Sequence, residues 1–235
     1  MKTFLVILFL AGNNFYNKSF SDTMPVSKDT TEKKIYYLAL GDSYTIGQSV
    51  SSAENFPNQV VASLKKASIN IQQARIIART GWTTDELEAG IVSANSVDTL
   101  RLSYDFVSLL IGVNNQFRGR SVEDYKTEFE PLLKKAIHFA GDLPDHVIVI
   151  SIPAWGVTPF AAGRDRAQIA KEIDEYNAAN KQIASQYGAE YIDITPWTRE
   201  AATDFTLLAS DGLHPSGKEY ERWAERIASL FKTKI

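Results

Sequence analysis

From residue 34 onward, short continuous apolar runs alternate with stretches of helical period. Residues 35–40 (IYYLAL) read as a strand buried on both faces, ending at Gly41. Residues 56–67 have helical spacing with a basic outer face, and the β-rich residues 71–78 break at Thr80 and Gly81. Thr83 and Glu86 have capping-box spacing, which starts a helix reaching about Ala94. Residues 104–111 (YDFVSLLI) are the next strand, stopped by Gly112. Ser121 caps a long amphipathic helix ending near Gly141, and Pro131 is expected to kink it or divide it in two. Residues 146–152 are strand-like, and 153–163 form a loop rich in Pro, Gly and aromatics. Residues 165–187 read as a helix ended by Gly188, 191–194 as a short strand, and 216–232 as a last amphipathic helix.

Five near-continuous apolar strands separated by helices predict a parallel sheet covered on both faces. The expected architecture is therefore α/β, a three-layer α/β/α sandwich formed as one domain over residues 34–235. Composition agrees: 44% apolar and 23% charged residues are ordinary globular usage. A net charge of −3 gives no electrostatic case for a nucleic-acid partner. The absence of cysteine removes disulfides, thiol nucleophiles and thiolate metal sites together. Histidine chemistry can draw only on His138, His146 and His214. The first two fall in a helix and at a strand start, with no metal-ligand spacing, so neither a metal nor a cofactor is expected.

Residues before the domain point to export. Lys2 precedes the apolar run 3–11, too short to span a bilayer but suited to a secretory leader. Ser19-Phe20-Ser21 offers a small-x-small cleavage site, which makes 1–21 a signal peptide and 22–33 a linker. Asn13 follows Leu10-Ala11-Gly12 where a lipoprotein would need cysteine, so no lipid attaches there. The expected destination is periplasmic or extracellular, with no stable membrane span once the leader is removed.

Ligands of an open α/β sheet bind outside the carboxyl ends of its strands. Those ends carry Gly41-Asp42-Ser43-Tyr44-Thr45, then Thr80-Gly81-Trp82-Thr83, then Gly112-Val113-Asn114-Asn115. Asp211-Gly212-Leu213-His214-Pro215 stands just before the last helix. These residues suit acyl transfer: a serine hydroxyl needs a base, and the base an orienting acid. His214 lies in a loop between Gly212 and Pro215, and Asp211 can fold back onto its Nδ1–H. Backbone N–H groups of Ser43 and Gly81 and the Asn114 amide can meet a developing oxyanion. Asp42 is assigned to local backbone hydrogen bonding.

In this order the four blocks resemble the SGNH hydrolases of the GDSL esterase/lipase superfamily, most closely the lysophospholipase/arylesterase branch. The resemblance implies a five-stranded, flavodoxin-like sheet and a serine esterase acting through an acyl-enzyme. It casts Ser43 as nucleophile, Gly81 and Asn114 as oxyanion donors, and Asp211 and His214 as the rest of the triad. The substrate it implies is a small-molecule, glycan or lipid ester. The third block departs from the family's usual GxND, having Asn115 for Asp, which predicts altered support around the oxyanion hole rather than loss of activity.

Alternatives are a carbohydrate O-acetylesterase, a catalytically inactive protein of the same fold, an acyltransferase and a flavodoxin-like binding module. For the last, the first loop suits phosphate poorly, because it carries an Asp and a bulky Tyr. Trp82, and with less weight Trp155, Phe117 and Phe160, are candidate pocket walls. Arg118, Arg120, Arg164 and Arg166 fall in the same rim loops, where solvated surface is the default reading and attraction of an anionic substrate the sharper one.

Overall fold

The computed structural model describes residues 33–235 together with Met1 and Thr3. Apart from Met1, Thr3 and Lys33, the expected signal peptide and linker lie outside the described residues. Strand β1 (Tyr37–Gly41) leads into a one-turn helix α1 (Ser43–Ile46), then α2 (Phe56–Lys66) and β2 (Arg75–Ala78). Helix α3 (Thr84–Val97), strand β3 (Phe106–Leu110) and the short α4 (Val113–Phe117) follow. The long α5 (Val122–Phe139), β4 (Val147–Ile150) and α6 (Arg166–Tyr187) come next. The chain closes with β5 (Glu190–Ile192), α7 (Thr195–Arg199) and α8 (Gly217–Lys232).

The five strands pair in parallel in the order β2-β1-β3-β4-β5. Every residue of β1, β3 and β4 is buried, because helices cover both faces. Helices α2 and α8 pack together as one layer, while α3, α5 and α6 pack in succession as the other. Phe231 of α8 stacks on Phe106 of β3 with ring centroids 3.9 Å apart, and meets Tyr37 of β1 edge-on. On the opposite layer, Tyr125 of α5 stacks on Tyr176 of α6 and donates to the Ile111 carbonyl at 3.0 Å. The predicted three-layer α/β/α architecture is the observed one. Sequence order reverses direction across the sheet between β1 and β3, so the crevice for a ligand opens at their carboxyl ends.

Differences from the sequence reading are local. Helix α5 runs unbroken through Pro131. Phe129, Leu132 and Leu133, buried on either side of it, hold the helix on the core through the missing backbone donor. Strand β5 begins one residue earlier and ends two residues earlier than expected. Residues 35 and 71 contribute only an isolated bridge beyond the ends of β1 and β2. The capping box of Thr83 and Glu86 forms as predicted, and α3 continues to Val97.

Candidate active site

The tip of β1 turns abruptly into α1, and the residue types there follow from the crowding. A Cβ on Gly41 would lie 2.1 Å from Thr45 Oγ1 and 2.4 Å from the Leu110 carbonyl oxygen, so only glycine fits. Asp42, wholly buried, accepts the Tyr44 N–H at 3.0 Å as N-cap of α1. Burial pushes its carboxyl up to about 7, against the opposing pull of the Tyr44 N–H and the Asn114 amide. The sequence assignment of Asp42 to local backbone matches this bond. Ser43 is thereby placed at the first position of α1, and its N–H has no partner among the described residues.

Ser43 Oγ lies 3.0 Å from His214 Nε2, and His214 Nδ1 lies 2.6 Å from Asp211 Oδ2. The turn holding Asp211 and His214 passes through Gly212 in a left-handed conformation and closes with Ala209 N–H on the His214 carbonyl at 2.7 Å. Asp211 accepts four hydrogen bonds, since Leu213 N–H, His214 N–H and Ser49 O–H join the imidazole. Burial raises the Asp211 carboxyl, but these donors outweigh it and bring the group down to about 2. An ionised carboxylate only accepts. Nδ1 therefore carries the imidazole proton, and Nε2 is free to accept from Ser43. Tyr44 packs against the imidazole with centroids 4.9 Å apart, which fixes the ring plane.

Gly81 follows β2 with φ +84°, a backbone state that disfavours any side chain. A Cβ there would meet only Arg118 Nη2 at 3.9 Å, so conformation rather than crowding requires the glycine. Its N–H has no partner among the described residues, and Arg118 Nη2 donates to its carbonyl at 2.7 Å. Asn114, on α4, donates to the Trp82 carbonyl at 2.9 Å and faces Asp42 Oδ2 at 3.4 Å, the limit of a hydrogen bond. Ser43, Gly81, Asn114 and His214 line one cavity of about 140 Å³. Asp211 stands behind His214. All five residues singled out in the sequence are thus brought together.

The rest of that wall is apolar: Val113, Phe117, Trp155, Phe160 and Leu213. Trp82, favoured from the sequence as a wall residue, is absent from it. Its indole lies over Gly90 of α3, where a Cβ would come within 2.1 Å of the ring. The notch left by that glycine draws the side chain onto the core instead of the cleft. The other two histidines have ordinary roles: His146 stacks on Phe106 and bonds the Asp105 carbonyl, and His138 sits exposed beside Asp142.

Two residues take roles that the sequence did not assign. Ser49 is exposed, holds φ +68°, and places its hydroxyl 2.6 Å from Asp211 across 162 residues of sequence. Arg118 reads as solvated surface from sequence, yet it clamps the Gly81 carbonyl and pairs with Glu86 at 3.0 Å.

Asn115, the departure from the family pattern, is fully buried. Its Oδ1 accepts the Thr84 N–H at 3.1 Å, and its Nδ2 donates to Thr84 Oγ1 at 2.6 Å and Glu128 Oε2 at 3.2 Å. The amide thus ties α4 to the start of α3, directly after the loop that carries Gly81. An aspartate here would face the Glu128 carboxylate with no hydrogen to offer. Asn115→Asp is expected to cost about 1–3 kcal/mol of stability, seen as a lower Tm at neutral pH. The loss should shrink in acid, where one carboxyl takes a proton, and Asn115→Asp with Glu128→Gln should recover most of it. An unchanged Tm for Asn115→Asp at neutral pH contradicts this account.

Ser43, His214 and Asp211 thus form one hydrogen-bonded series at the carboxyl edge of a parallel α/β sheet, with Gly81 and Asn114 beside it. Residues 39–222 match the GDSL-like Lipase/Acylhydrolase family, and the chain belongs to that family. Its fold is shared with solved structures at low identity. TesA is 14% identical, with TM-score 0.63, over 86% of this chain and 100% of that one. The psychrotrophic esterase EstA from Pseudoalteromonas sp. is 16% identical, with TM-score 0.64, over 84% and 97%. Axe2, an acetylxylan esterase from Geobacillus stearothermophilus, is 19% identical, with TM-score 0.64, over 85% and 94%. No curated protein matches the sequence. Among the described residues no helix is long and apolar enough to cross a membrane.

Proposed function

We propose that this family member is a serine esterase of lysophospholipase/arylesterase type that works through an acyl-enzyme on Ser43. The observation that carries the reading is the continuous hydrogen-bonded chain from Ser43 to His214 to Asp211, opening on a cavity that also presents Gly81 and Asn114. Ser43 Oγ attacks the ester carbonyl carbon while its proton passes to His214 Nε2, and Asp211 stabilises the imidazolium. The carbonyl oxygen becomes an oxyanion, met by the free N–H groups of Ser43 and Gly81 and by the Asn114 hydrogen that points weakly at Asp42. The imidazolium returns the proton to the leaving alcohol. Water then repeats the sequence on the acyl-enzyme and releases the acid.

Within that type, cavity size favours short acyl groups, as on simple aryl esters, over the long chain of a lysophospholipid. About 140 Å³ is well under the roughly 300–1,000 Å³ of sites that bury drug-sized ligands. Across p-nitrophenyl esters from acetate to palmitate, kcat/KM is expected to peak between acetate and butyrate, with labelling by a fluorophosphonate serine probe. A peak at palmitate would exclude the short-acyl reading, and absence of both hydrolysis and labelling would exclude the esterase. The same small cavity favours carbohydrate O-acetylesterase as the second reading. Acetate release from an acetylated oligosaccharide faster than from p-nitrophenyl acetate would establish it.

A further inference from the structure

Four arginines stand at the connections that follow β3 and β4, and the structure separates one of them from the others. Arg118 spends its guanidinium on Glu86 and the Gly81 carbonyl, and Arg120 on Asp85 and Glu128. Arg166 donates to the Val157 and Thr158 carbonyls at 2.9 and 3.1 Å. The guanidinium of Arg164 makes no hydrogen bond or ion pair among the described residues. Its Cζ lies instead 4.8 Å from the ring centre of Phe117 and 5.5 Å from that of Trp155.

Those two rings line the cavity that holds Ser43 and His214. Phe117 and Phe160, 41% and 46% exposed, carry the apolar wall out to solvent, where Arg164 lies across it. A guanidinium resting on aromatic faces is held by their quadrupoles, while its in-plane N–H groups stay open to a carboxylate. The first two carboxylates of the α6 segment have other partners. Asp165 caps α6 through the Gln168 N–H, and Glu172 accepts from Gln116 and Gln168. The chain's net negative charge makes an unpaired cation at this place more selective, since anions are not drawn to the surface generally.

We propose that Arg164 forms an anion subsite beside the cleft, and that the preferred substrates are esters carrying a carboxylate on the part that lies across Phe117 and Trp155. This names the substrate class for the esterase reading and rests on it. The carboxylate can belong to the acyl group or to the alcohol, and two substrate pairs separate these sources. Mono-p-nitrophenyl glutarate against p-nitrophenyl pentanoate tests the acyl side. 4-Acetoxybenzoate against its methyl ester tests the alcohol side.

In one pair the anionic-to-neutral ratio of kcat/KM should fall about three- to fivefold in Arg164→Gln, with the change in KM. Arg164→Lys should restore part of it, because it keeps the charge and loses the planar fork. Sodium chloride at high concentration should lower the ratio in the wild type and leave Arg164→Gln unmoved. Ratios equal in wild type and Arg164→Gln for both pairs would overturn the subsite while leaving the esterase intact. A wild type that turns over none of the four esters and takes no fluorophosphonate label would overturn the esterase, and the subsite with it.

Discussion

Ser43→Ala is expected to lower kcat for a p-nitrophenyl ester by about 10³- to 10⁶-fold, the range over which loss of a serine nucleophile is felt. The substitution removes one oxygen from a residue that is only 5% exposed and leaves Gly41, the Asp42 cap and the Ser43 N–H where they are. Its structural cost is a single hydrogen bond to His214 Nε2, so Tm should stay close to the wild-type value. KM should change far less than kcat, because the cavity wall and the oxyanion donors remain. What disappears is the bond-forming atom, and water cannot take its place with the same orientation. A residual rate within tenfold of the wild type would assign catalysis to another group and remove Ser43 from the mechanism.

The second large effect belongs to Asp211→Asn, with a loss of about 10⁴-fold in kcat. Asp211 uses Oδ1 for two backbone N–H groups and Oδ2 for His214 Nδ1 and the Ser49 hydroxyl. An asparagine can keep its carbonyl oxygen on the backbone donors only by turning its NH₂ toward the imidazole. Nδ1 must then accept, the ring proton moves to Nε2, and Nε2 can no longer take the Ser43 proton. Removing Ser49's hydroxyl withdraws one donor of four, so Ser49→Ala should cost only about fivefold, near 1 kcal/mol. Loss comparable to Asp211→Asn in that variant would mean that Ser49, not the carboxylate, sets the imidazole's orientation.

The pH behaviour of this pair has a definite sign. The Asp211 carboxyl stands at about 2 in the fold, below its ordinary 3.8. Its contribution to stability is therefore complete above about pH 4 and is lost as pH falls toward 2. Activity lost between pH 4 and neutrality belongs to other groups. Asp42 behaves oppositely, because burial raises it to about 7. It folds as the neutral acid, and its charging opposes folding as pH rises from about 4 to 7.

Most of the sheet and the identity of the reacting residues were legible in the residues themselves. Strands buried on both faces are near-continuous apolar runs, so 35–40, 104–111 and 146–152 announce β1, β3 and β4. Caps are equally local, and Thr83, Ser121 and Gly188 lie within a few residues of the groups they serve. The blocks around Ser43, Gly81, Asn114 and Asp211–His214 were visible because each is a short cluster at a strand end or a tight turn.

What the tertiary structure alone decided are the relations between such clusters. Nothing near Ser49 in sequence announces Asp211, and nothing in Arg118 announces the Gly81 carbonyl. By sequence Trp82 is the stronger wall candidate and Phe117 the weaker, yet a missing Cβ on Gly90 turns the first into the core while α4 directs the second to the cleft. Asn115 is a one-letter departure until Glu128 and Thr84 come against it. Periodicity and capping report whether a residue is buried and how its neighbours bond, because those depend on the local chain. Which distant side chain meets it depends on the packing of whole elements, where crossing geometry and close-packed volume decide.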